Sequence, residues 1–278
     1  MKKFWRNANF RLRSGIIITT IFFILGFVVY YIPHVNPFTY NSYPSKLSPS
    51  WEHWLGTTSM GQDIFWLLIE AIHNSLLIGL TVALIGTVVG VFVGLLAGFS
   101  GGVLDRVLTV VTDTFVVIPS LPILVLMTSL MKGSATVFLM ALVLGMFAWA
   151  WPSRQIRSLA LTIKERDFIH TAWFSGEGTI QVVVTEILPY ALTWSLSNFM
   201  NATLAAIASE SSLAVLGLSP ANMISLGNMI QWARERNAIF ARQWFWIGSP
   251  IVATVLLFIG LFLLITGYND YLSMKRGK

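Results

Sequence analysis

The sequence predicts an all-α, polytopic membrane protein with six transmembrane helices, and three observations carry that expectation. Of its 278 residues, 55% are hydrophobic and only 11% are charged, whereas soluble domains average about 25% charged. Long apolar runs recur along the chain, and a bilayer core of about 30 Å takes about 20 helical residues. Lys and Arg gather in the polar segments between alternate runs, which is the pattern of an orientation signal.

Six runs meet the length test: 15–32, 74–99, 107–131, 135–151, 190–209 and 247–268. An even number puts both ends of the chain on one side. That side holds Lys2, Lys3, Arg6, Arg11 and Arg13 in the first tail, Arg106 in a turn, Arg154, Arg157, Lys164 and Arg166 in a long loop, and Lys275, Arg276 and Lys278 at the end. The other side holds Lys46, Lys132, Arg234, Arg236 and Arg242. Short cytoplasmic loops accumulate cations, so both termini and the long loop are expected in the cytoplasm.

The expected organisation is a cytoplasmic tail 1–14, a six-helix membrane domain 15–268 and a basic cytoplasmic tail 269–278. Within the domain lie an external loop 33–73, a cytoplasmic loop 152–189 and an external segment 210–246. The first run is longer than a signal-peptide core, and no small-x-small cleavage pattern follows it before Pro33, so it reads as a transmembrane helix. The formal charge of +6 belongs with the orientation signal. No basic stripe interleaved with aromatics suggests nucleic acid, and membrane lipid is the expected surrounding.

Polar residues inside the runs mark where to look for function or close packing. The second run carries Gly86, Gly90, Gly94 and Gly98 at four-residue spacing. They form one stripe on a helix and admit a neighbouring backbone, which makes them a helix-packing device. The third run contains Asp113, for which a structural role, pairing with a basic group such as Arg106 or capping backbone, is favoured over proton relay. Its Pro119 and Pro122 are expected to kink or interrupt the helix.

The fifth run carries Ser197, Asn198 and Asn201 on one helical face and ends at Glu210. Such side chains either hydrogen-bond across helices or face a wet cavity; in the second case they line the pathway. The segment 210–246 is too polar for a span and too apolar for an ordinary loop, so it is expected to dip back into the membrane under protein cover. Trp51, Trp54 and Trp66 suit interfacial anchoring, with contact to an external partner the alternative.

Several chemistries have no residues to carry them. No G-x-x-x-x-G-K-[ST], H-E-x-x-H or G-x-S-x-G occurs, and the four histidines are scattered, so no catalytic, cofactor-binding or metal-binding residue is assigned. The absence of cysteine removes disulfide and thiolate chemistry and leaves the redox compartment unread. The acids in the runs are too few for a proton pump, which makes energy supply by another chain the leading expectation. An ATP-independent secondary carrier or channel is the alternative, and an intramembrane enzyme ranks third.

Four stretches, taken in order, resemble the permease subunits of ABC importers of the dipeptide, oligopeptide and nickel class, in particular the C-type partner. LGTTSMGQD at 55–63 is similar to the family's LGTD-x-x-GRD, with Thr58 in place of Asp and Gln62 in place of Arg. GLLAGFSGGVLDRVLTVVTDTFVVIPSLP at 94–122 follows the family's Gly-rich turn, Asp-Arg pair, later Asp and proline. The loop 152–189 resembles the EAA motif: His170, Thr171 and Ala172 stand where Glu-Ala-Ala is usual, and Gly176 and the terminal Ile187-Leu188-Pro189 are kept. ESSLAVLG at 210–217 resembles the family's external motif.

The resemblance implies a type I importer architecture in the inner membrane of a bacterium or archaeon. It implies a heterodimer with a homologous permease subunit, two cytoplasmic ATPases that bind ATP and Mg, and an external substrate-binding protein. It also implies a coupling helix near 167–175 that docks on an ATPase, with Arg166, Asp167, Thr171, Ala172 and Gly176 as the contact and turn residues. Peptides are the class default for substrate, with oligosaccharides and nickel chelates as alternatives.

Overall fold

The computed structural model describes residues 9–130, 136–219 and 223–276, and among these it is helical, with no strand beyond an isolated bridge between Thr57 and Asp63. Most of the tail 1–14, the ends of the third and fourth runs at Met131 and Ala135, Lys132 and Lys278 lie outside the described residues. Three helices are long and apolar enough to cross a membrane, or up to five if each of two bent pairs is one span. The fifth expected run, 190–209, lies in a 28-residue helix, long enough to cross but outside that apolar set.

Local chemistry explains where the elements begin and end. Helix α1 (Phe10–Phe27) is capped by Asn9, whose side chain accepts from the Leu12 amide at 2.8 Å, satisfying one of the free N–H groups of the first turn. Helix α2 (Ile64–Ser100) starts well before the expected run, because the Asp63 carboxylate accepts the Phe65 amide at 2.8 Å. Its 37 residues make it about 55 Å long, so the end of the expected loop 33–73 is helix. Two polar residues within it find partners: His73 Nδ1 lies 2.7 Å from the Gly26 carbonyl, and Asn74 donates to the Ile224 carbonyl at 2.7 Å.

Helices α3 (Gly102–Val117) and α4 (Ser120–Leu130) form the broken third run, bent by 78°. Ile118, extended at ψ 125°, precedes Pro119, and proline disfavours the helical conformation in the residue before it. Helices α5 (Val137–Ala148) and α6 (Ala150–Lys164) meet at 40°. The first part of the expected loop 152–189 is therefore helix, followed by α7 (Asp167–Phe174), α8 (Thr179–Val182), a π-helical turn (Val183–Ile187) and α9 (Leu188–Val215). The π turn precedes Pro189, which has no N–H to continue the regular ladder. Helices α10 (Leu226–Glu235) and α11 (Trp244–Arg276) complete the chain.

The chain divides into two compact units. The first is made of Met1–Gly79, Val125–Met140 and Leu204–Lys278. In it α1 runs along α11 through a seam containing Gly15, Gly260 and Gly267, and Phe22, Leu67, Ile72, Leu226, Met229, Trp246 and Leu257 form the core. Helix α10 is covered by protein, with Leu226, Asn228, Met229 and Ala233 buried. The second unit is Leu80–Leu124 and Ala141–Thr203.

Candidate functional site

The second unit holds the residues expected to transmit motion, and its framework is the glycine stripe. A Cβ on Gly86 would stand 2.8 Å from the Ala148 carbonyl oxygen, on Gly90 2.6 Å from Pro152 Cβ, on Gly94 2.5 Å from the Ser153 carbonyl oxygen and on Gly98 2.8 Å from Ala160 Cβ. Helix α2 thus meets α5 and α6 at backbone distance, which any side chain would prevent. Lys164, at the end of α6, lies over the Phe99 ring at 5.5 Å.

A bidentate ion pair ties α3 to α6: Arg157 Nε donates to Asp105 Oδ1 at 2.6 Å and Nη2 to Oδ2 at 2.8 Å. This fork-to-fork geometry is the strong form of such a pair. Asp113 pairs with a basic group, as expected, but that group is Arg154, at 3.8 Å, and not Arg106. Arg106 and Asp113 are two turns apart on α3, about 10 Å along the axis, and Arg154 on α6 is the cation that reaches it.

Helix α7 follows the break at Glu165 and Arg166. Its inward side, Ile169, Ala172 and half-buried Trp173, packs with Ile163, Val182 and Ile187. Ala172 is 9% exposed, so the close approach its small side chain allows is to its own unit. Arg166, Asp167 and Thr171 are exposed. The helix ends in a Schellman turn: the Glu177 amide donates to the Ala172 carbonyl at 3.2 Å and the Gly176 amide to the Trp173 carbonyl at 3.0 Å. Gly176 supplies the left-handed residue this turn needs, at φ 85°.

The three polar residues of the fifth run separate in role. Asn198 donates to Thr87 Oγ1 across to α2 at 3.3 Å, which is the cross-helix reading. Asn201 is exposed, and its side chain donates to the Ser197 carbonyl at 3.0 Å. Within the first unit, Glu210 is fully buried and accepts the Ser225 hydroxyl at 2.6 Å. Ser225 in turn accepts the Asn228 amide at 3.1 Å as the cap of α10. Glu210 thereby holds the start of the covered segment to α9.

The motif at 55–63 also lies in the first unit and forms a closed knot. The Thr58 hydroxyl accepts the amides of Met60 at 3.1 Å and Gln62 at 3.2 Å, and the Gln62 side chain donates to the Pro37 carbonyl at 2.6 Å. Thr58, standing where the family has Asp, still supplies an acceptor for turn amides. His53 Nδ1 lies 2.7 Å from Asp63 Oδ2, and both residues are buried.

Sequence reasoning passed over two structural pairs, Asp105 with Arg157 and His53 with Asp63. Asp105 and Arg157 were each visible as charges near helix ends, but nothing local joins residues 52 apart in sequence.

Residues 90–278 match the family of binding-protein-dependent transport system inner membrane components. Over its whole length the chain is 29% identical to the oligopeptide transport system permease protein OppC of Mycobacterium tuberculosis, covering 96% of that protein. It is 28% identical to OppC of Lactococcus lactis subsp. cremoris over 88% of this chain and 86% of the relative. It is 26% identical to the nickel transport system permease protein NikC of Escherichia coli, over 92% of each.

Proposed function

Because the chain belongs to the family of binding-protein-dependent transport system inner membrane components, we propose that it forms half of the translocation pathway of an ATP-driven importer of oligopeptides. The observation that carries this reading is full-length similarity to oligopeptide permease subunits, joined to a short helix, α7, whose outer side lacks cover. The other half is a homologous permease subunit. ATP and Mg bind two cytoplasmic ATPases, and an external binding protein delivers substrate. Both termini and the loop 152–189 face the cytoplasm, as the cation distribution argues.

In this mechanism α7 is the coupling helix, Arg166, Asp167 and Thr171 contribute to contact with the ATPase, and Gly176 sets the turn. ATP closes the ATPase pair because it binds the closed state more tightly, and that difference shifts the membrane part between inward and outward access. The Asp105–Arg157 fork and the glycine stripe make α2, α3 and α6 move together. Ser197 and Asn201 line the pathway and contact the polar backbone of the substrate.

The test is a pair of substitutions in the complete assembly. Gly176→Val places a β-branched residue at positive φ, where Asn is tolerated. We expect Gly176→Val to lose both transport and binding-protein-stimulated ATP hydrolysis, and Gly176→Asn to keep them. Normal transport and stimulation in Gly176→Val would remove the coupling assignment. Uptake of oligosaccharide in place of peptide would overturn the substrate reading alone.

A further inference from the structure

Helix α7 divides cleanly between inside and outside. Asp167, His170, Thr171 and Phe174 fall at i, i+3, i+4 and i+7 and so form one stripe; all four are exposed. The reverse side is committed to the core of its unit. Phe168 stacks toward Tyr190, with centroids 6.3 Å apart. Phe174 is 92% exposed, an aromatic ring held on an ordered turn with its whole surface presented.

We propose that Phe174 is the anchor of the docking face, entering an apolar pocket in the ATPase groove whose rim carries basic groups. This rests on the reading of α7 as the ATPase-facing helix, and it adds which stripe and which side chain make the contact. Charge favours a protein over lipid as the occupant. Anionic membrane surfaces attract polybasic segments, but the exposed residues of 164–178 set one cation, Arg166, against two carboxylates, Glu165 and Asp167. Lys164 is drawn back over Phe99. A face of this sign is complemented by a basic rim, and a single aromatic ring entering a desolvated pocket is the kind of contact that dominates interface affinity.

The natural absence of cysteine allows a direct test in proteoliposomes containing this chain, its permease partner and the ATPase subunits that copurify with them. Single variants Phe174→Cys and Ala172→Cys are labelled with a membrane-impermeant maleimide before and after the ATPases are added. We expect Phe174→Cys to react fast without the ATPases and at least about tenfold more slowly with them, and Ala172→Cys to react slowly in both states. In parallel, Phe174→Ser should weaken ATPase binding about tenfold or more with unchanged thermal unfolding, while Phe174→Trp keeps binding. Slow labelling of Phe174→Cys before ATPase is added would place the ring in lipid and overturn the proposal. Fast labelling in a complex with bound, active ATPase would overturn the anchor while leaving the coupling reading standing. Failure of the unsubstituted assembly to bind any ATPase would sink both.

Discussion

Gly61 and Gly176 occupy the same left-handed region of backbone space, at φ 68° and 85°, in opposite surroundings. A Cβ on Gly61 would run into the Tyr43 carbonyl, whereas one on Gly176 would meet nothing within 4 Å. Gly61 belongs to a knot in which Thr58, Gln62 and Asp63 are buried and hydrogen-bonded. Gly176 closes a turn that leaves one side of α7 bare. The first region has completed its contacts within the chain. The second leaves the outer side of its helix exposed, which the proposed docking on an ATPase requires. Substitutions in the knot should therefore cost stability, and substitutions on the outer face of α7 should cost assembly.

The largest effect is expected from Gly61→Val, which combines backbone strain with a backbone clash and should cost roughly 3 kcal/mol or more. Thermal unfolding of the detergent-solubilised chain measures it, and the same change at Gly176 should cost only about 1–2 kcal/mol. Equal losses at the two glycines would erase the contrast. Next comes Asp63→Ala, which removes the cap of α2 and the buried partner of His53, for about 2 kcal/mol. Asp167→Ala, on the open edge, should stay within about 0.5 kcal/mol.

An intermediate loss is expected for Asp105→Ala, which strands a partly exposed Arg157 and costs about 1–2 kcal/mol. Because that fork joins α3 to α6, its removal should also reduce ATP-driven transport more than it reduces ATPase binding; transport and pull-down assays on one preparation separate the two. The smallest stability effect belongs to Thr171→Val. Its hydroxyl donates only to the Asp167 carbonyl of its own helix, at 3.0 Å, so unfolding should shift by no more than about 0.5 kcal/mol.

What could be read without coordinates divides along the same line. The glycine stripe was legible because period-four spacing maps directly onto one helix face, and the broken third run because Pro119 forbids a regular helix there. Helix ends were less legible: hydropathy locates a lipid-facing stretch, but α2 continues back to Ile64 through buried His73 and Asn74, whose partners are distant in sequence. The burial of Ala172 was not legible either. Eight residues, DFIHTAWF, are too few for periodicity to choose an inner face, and three of the four aromatic and aliphatic candidates for the core, Phe168, Trp173 and Phe174, end up partly or wholly exposed. Long-range pairs such as Asp105 with Arg157 leave no local trace at all.

The central claim, an ATP-driven importer half, is tested most directly by oligopeptide uptake into proteoliposomes containing the complex that copurifies with this chain. The account predicts accumulation that requires ATP on the side of the loop 152–189 and the binding protein on the other, with none driven by an ion gradient. Peptide accumulation by a homo-oligomer of this chain, without ATP and driven by an ion gradient alone, would contradict it.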